Sequence, residues 1–220
     1  MRSPIKGTSI RAVYQGLAVA AILVASMARA DAGPAYFLDD TTGRGLADGE
    51  EFTLGSQFTT SDSISVDGLG VFDDSQDGLV DSYPIGIWDS TGTLVASGMV
   101  GSGTSGTLIN QFRYVSITPV DIAAGTYQIG ALYLDGNDGI VGTDFSGPTN
   151  FSTAPEITFD NSESAPGGSL TNPTESAAGG TQYFGPNFTF TSAAAVPEPA
   201  TLTLLVMGLA GLGLIRRRRG

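Results

Sequence analysis

The run Asp73-Asp74-Ser75-Gln76-Asp77-Gly78 sets side-chain oxygens at positions 73, 75 and 77 ahead of a glycine. That is how the first half of a calcium loop presents its ligands. The twelfth position of such a loop falls on Pro84, so an EF-hand is not supported, although Asp81 could close a different oxygen cage. A second oxygen-rich group comprises Asp135, Asn137, Asp138 and Asp144. Two readings apply. Either calcium is bound by Asp73, Ser75, Asp77 and Asp81, or both groups are acidic hairpin turns whose side chains hydrogen-bond their own backbone. Gly101-Ser102-Gly103-Thr104-Ser105-Gly106 matches G-x-G-x-x-G, but Gln111 to Ile117, which follows, reads as a strand. A dinucleotide site needs a helix there, so the motif reads as a hairpin loop. A pair of carboxylates could run glycoside hydrolysis without histidine, yet nothing singles out one pair among the acids. Trp88, the one tryptophan, and Tyr83, Tyr114 and Tyr133 could stack on sugar rings where exposed, although aromatic residues in short strands usually belong to the core.

The chain of 220 residues has no His and no Cys. This removes Ser-His-Asp and Cys-His nucleophiles, imidazole and thiolate zinc sites, and any disulfide. The expectation is therefore a protein that is not an enzyme.

The elements that must carry these residues read as strands. Short apolar runs alternate with Gly, Asp, Asn, Ser and Pro clusters, and no stretch sustains a helical period. Strands are predicted at Glu51 to Phe58, Ile64 to Asp73, Tyr83 to Asp89, Leu94 to Met99, Gln111 to Ile117, Gly125 to Leu134, Glu156 to Asp160 and Asn187 to Thr191. Eight strands fit a single antiparallel β-sandwich, jelly-roll or fibronectin-like, over residues 33–191. The clearest hairpin joins Pro84 to Asp89 with Thr93 to Ser97 through a turn at Ser90-Thr91-Gly92. In Gly125 to Leu134 the residues Tyr127, Ile129, Ala131 and Tyr133 share one face. Trp88 points opposite to Ile85 and Ile87, and periodicity leaves open which face is buried. Residues from about 161 to 181, and above all Ala165 to Gly180, lack the apolar surface to offset ordering and are predicted to be a flexible loop. Residues 192–195 read as a linker.

Charge is distributed unevenly. Residues 33–195 hold 20 acidic side chains against Arg44 and Arg113, a formal charge of −18. Such a surface repels nucleic-acid phosphates, so no nucleic-acid partner is expected. The other eight basic residues lie at the ends. Arg2, Lys6 and Arg11 precede an apolar run from Leu17 to Met27 and the sequence Ala28-Arg29-Ala30-Asp31-Ala32. These are the parts of a secretory signal peptide over residues 1–32, cut after Ala30 or, as favoured here, Ala32. The Sec translocon and signal peptidase are its expected partners. At the other end Val196-Pro197-Glu198-Pro199 precedes sixteen mostly apolar residues, Ala200 to Ile215, and the cluster Arg216, Arg217, Arg218 and Arg219. A short transmembrane helix is expected there, with the arginines held in the cytoplasm.

This order of motif, span and arginine cluster over residues 196–220 resembles the PEP-CTERM sorting signal of Gram-negative bacteria that make exopolysaccharide. The resemblance implies an exosortase-type membrane protease as partner, recognition at Val196 to Pro199, transient anchoring in the inner membrane, and delivery to the cell surface or extracellular matrix. The series Gly68 to Asp73, Asp77 to Ser82, Gly86 to Asp89, Phe112 to Val115 and Ala124 to Tyr127 resembles a domain of unknown function recurrent in PEP-CTERM proteins. That likeness spans most of Asp40 to Phe145. Together they suggest a non-enzymatic structural or binding protein linked to exopolysaccharide and biofilm, or alternatively a carbohydrate-binding module.

Overall fold

A computed structural model describes residues 33–38, 51–134, 138, 141–143, 151–176 and 182–192. Its strands in chain order are β1 (Gly33–Pro34), β2 (Tyr36–Leu38), β3 (Phe52–Thr60), β4 (Ile64–Phe72), β5 (Tyr83–Asp89), β6 (Leu94–Val100), β7 (Thr107–Ile109) and β8 (Phe112–Ile122). There follow β9 (Gly125–Tyr133), β10 (Val141–Thr143), β11 (Phe151–Thr153), β12 (Ile157–Pro166), β13 (Glu175–Ser176), β14 (Gln182–Phe184) and β15 (Pro186–Ser192). All pairings are antiparallel. One sheet has the order β1-β15-β4-β8-β7, the other β13-β12-β3-β9-β5-β6, and β10 with β14 and β11 with β2 form two short ribbons. The fold is an all-β sandwich.

Period-two patterning builds the core between the sheets. Ile85, Ile87, Ile129, Ala131, Leu54 and Phe58 of the six-stranded sheet meet Val66, Leu69, Val71 and Phe188 of the five-stranded one. The rings of Phe58 and Phe188 lie 4.8 Å apart across the gap. A second cluster of Leu38, Phe72, Phe112, Tyr114 and Phe184 adjoins this core. The β5–β6 hairpin turns on Gly92, whose φ of 82° suits glycine. Asp89 caps that turn by accepting the N–H groups of Thr91 and Thr93.

All eight expected strands are present, with ends shifted by a few residues. The large difference is at residues 161–181. There β12 continues to Pro166 in register with β3, and Ser162, Glu163 and Ala165 are buried. Residues 167–173 then cross the outer face of the six-stranded sheet as a strap. Gly167 donates to the Glu51 carbonyl at 2.8 Å, and the Thr171 N–H reaches Thr53 Oγ1 at 3.1 Å. Polar side chains suffice for this strand because the ladder of β3 supplies the backbone partners.

Among the described residues no helix is long and apolar enough to cross a membrane. The expected signal segment with Ala30 and Ala32, the motif Val196 to Pro199 and the cluster Arg216 to Arg219 lie outside the described residues.

Candidate functional site

The loop after β4 does not gather its oxygens into a cage, the first of the two readings. Asp73 turns inward, 1 % exposed, and accepts a hydrogen bond from Arg113 Nε at 2.5 Å. Its two oxygens also face the Gly78 N–H at 3.2 Å each. Ser75 and Asp77 are exposed, whereas Asp81 donates its backbone N–H to Asp138. The alternation on which the calcium reading rested is broken by a 3-10 turn, Asp74–Gln76, in which Ser75 and Gln76 take φ of 67° and 60°. Among the described residues no group of three or more acids is placed to hold a metal ion.

Arg113 ties this corner together. Besides Asp73, it donates through Nη2 to the Gln76 carbonyl at 3.1 Å and through Nη1 to the Gly106 carbonyl at 3.3 Å. One guanidinium therefore ties the acidic loop to the glycine-rich connection before β7. That connection carries the G-x-G-x-x-G match and leads into a strand rather than a helix. Asp138, from the second acidic group, anchors the same region. Its carboxylate accepts the N–H groups of Val80 and Asp81 and the Tyr83 hydroxyl at 2.6 Å. Burial, together with that bond to the Asp138 carboxylate, raises the Tyr83 pKa far above the usual phenol range. Asp135, Asn137 and Asp144 lie outside the described residues.

Trp88 does not offer an open stacking face. Ile85 and Ile87 fill the core side of β5, and Trp88, on the outer face, is only 5 % exposed. Its indole lies along Gly86, where a Cβ would stand 2.9 Å from the ring. Tyr83, Tyr114 and Tyr133 are buried as well.

The outer face of the six-stranded sheet holds what the sequence did not reveal. Asn161, Gln57, Gln128 and Trp88 stand in one register row across β12, β3, β9 and β5. In the next row Glu163 faces Gly55 and then Gly130, and Pro173 of the strap would meet a Gly130 Cβ at 3.0 Å. Among the described residues, four buried oxygens on this face have no hydrogen-bond partner: Gln128 Oε1, Asn161 Oδ1, Glu163 Oε2 and Asn172 Oδ1. The first three belong to the sheet and the fourth to the strap. Desolvation raises the Glu163 pKa above the ordinary carboxylate range. Asn161 Nδ2 donates to Ser176 Oγ, so this seam holds amide donors as well as these unpartnered oxygens. No local sequence signal marks it, because Gln128 comes from β9 and the other three from the polar stretch that reads as a loop.

A family model described as a domain of unknown function, DUF4082, matches residues 39–185. The chain belongs to the DUF4082 family. A second model, for the PEP-CTERM protein-sorting motif, matches residues 195–219. No curated protein and no solved structure matches the chain. Nine residues, 186–194, thus separate the DUF4082 match from a signal that marks an exported protein. Processing by an exosortase after transient membrane anchoring follows from that signal.

Proposed function

We propose that this chain is a non-enzymatic protein of the cell surface or extracellular matrix, with a structural or binding role in the exopolysaccharide layer. The observation that carries the reading is the sorting motif at 195–219, placed directly after the last strand of an acidic sandwich. A signal peptide over 1–32 would bring the chain to the Sec translocon, and Ala200 to Ile215 would hold it in the membrane until cutting near Val196 to Pro199. Two of the buried acids support the non-enzymatic part: Asp73 and Asp138 have their oxygens committed to Arg113, Tyr83 and backbone amides. Fractionation of the host tests the reading. The processed chain is expected in the surface or matrix fraction, in association with exopolysaccharide. Retention in the inner membrane of cells that hold an active exosortase would count against it.

Carbohydrate binding is the second reading, favoured by the outer-face seam. Sugar hydroxyls could donate to the unpartnered oxygens of Gln128, Asn161, Glu163 and Asn172, and Trp88 stands in the row of Gln128 and Asn161. The strap would have to lift for a ligand to enter. A glycan screen on the exported protein would show saturable binding that Glu163→Gln weakens, and no binding in the screen would set this reading aside.

A further inference from the structure

From Ser90 to Phe112, 23 consecutive residues carry no charged side chain, although residues 33–195 together hold −18. The fold gathers this run on one flank of the sandwich. Within it β6 is the edge of the six-stranded sheet, β7 is the edge of the five-stranded sheet, and the glycine-rich connection joins them. Gly98 of β6 faces Ile117, Leu69 and Val115 of the other sheet, so the two edges close the same side.

That flank is also the most apolar part of the described surface. Among the described residues six large apolar side chains are exposed, and Leu94, Met99, Leu108 and Ile109 come from this run. A fifth, Val80, adjoins Leu79, which is bridged to Gly103 of the connection. β6 pairs with β5 on one side and, among the described residues, with nothing on the other. Proteins usually protect such an edge with charge or proline, and β6 has neither. Its one irregularity is the break in register beside Val95.

We propose that this flank is a self-association surface, on which β6 of a second copy adds antiparallel to β6 across a two-fold axis. The exposed row of backbone N–H and C=O groups selects an extended strand. Charge selects a second copy. A basic partner would be drawn to the acidic faces, whereas two copies of this chain repel everywhere except along the uncharged flank. A strand that pairs antiparallel with itself gives the closed, isologous contact of a dimer. Leu94 and Met99 of both copies then lie on one continuous outer face. The inference is independent of the carbohydrate reading, because the seam lies on the sheet face and not at its edge.

The test is sedimentation equilibrium of the exported protein over a concentration series, at low and high NaCl. The expected result is a monomer–dimer equilibrium that tightens as salt screens the acidic surfaces. Ser97→Lys and Met99→Lys, both at exposed positions, should weaken it about tenfold or more by setting like charges together, with the melting midpoint unchanged. Because the chain has no cysteine, Ser97→Cys alone should form a disulfide-linked dimer on oxidation, and Thr158→Cys, exposed away from the flank, should not. A monomer at every concentration and salt would overturn the proposal. So would a dimer that both lysines leave unchanged, or a monomer that takes up an extended peptide of another protein at β6.

Discussion

Arg113 holds Asp73, Gln76 and Gly106 with one guanidinium, and it is 6 % exposed. Removing one member of a buried ion pair strands the other charge in a medium that solvates it poorly. Arg113→Met is therefore expected to lower stability by about 3–5 kcal/mol, measured by urea unfolding. The double variant Asp73→Leu with Arg113→Met should recover much of the loss, because neither charge is then left unpaired. Glu163 behaves in the opposite sense. Burial raises its pKa, so the folded state binds the proton more tightly than the unfolded state. Stability then falls as pH rises from the ordinary carboxylate range through the raised value. Glu163→Gln should raise the melting midpoint at neutral pH, with the gain shrinking as the medium is acidified below that range. A constant gain across pH would place its cause outside this titration.

At the scale of elements, the strap has a defined grip on the sheet. Thr53 Oγ1 accepts the Thr171 N–H, and Pro173 packs where a Gly130 side chain would stand. Thr53→Val removes the acceptor, so the Thr171 amide should exchange faster with solvent, with a cost of about 1 kcal/mol. Gly130→Val should do more. Its Cβ would come within 2.7 Å of Thr53 Cγ2 and 3.0 Å of Pro173, so the strap must lift, and exchange should rise across residues 169–173. These elements differ in how legible they were. β9 was clear, because Tyr127, Ile129, Ala131 and Tyr133 share one face while Gln128 and Gly130 take the other. β12 was not, because Asn161, Ser162, Glu163 and Ser164 lack apolar contrast and form a strand only where the edge of β3 meets them. Strands of two or three residues, such as β1, β7 and β14, are too short to show a period. The site was hidden for a related reason. Arg113, one of two arginines among the 20 acids of residues 33–195, carries no local sign of its partner, and two left-handed residues, Ser75 and Gln76, cancelled the alternation that suggested a calcium loop.

For the whole molecule, the decisive pairing joins the first and last of the described strands. Gly33 of β1 is in register with Phe190 of β15, and β15 lies between β1 and β4. Asn187 reinforces the link by accepting the Tyr36 N–H at 3.1 Å and donating to the Tyr36 carbonyl at 2.9 Å. Since Phe188 and Phe190 belong to the core, the sandwich cannot close before residue 192 has been exported. A chain ended after Gly185 should show no cooperative melting, whereas one ended after Ala194 should keep its midpoint. The sorting motif starts three residues beyond Ser192. Three extended residues reach only about 10 Å, so an exosortase acting on the folded chain must work against the end of the sheet. A flexible spacer inserted after Ser192 should then speed conversion of precursor to processed protein in a pulse-chase experiment. An unchanged rate would mean that cutting precedes closure of the sandwich, and that β15 takes its place between β1 and β4 only after release.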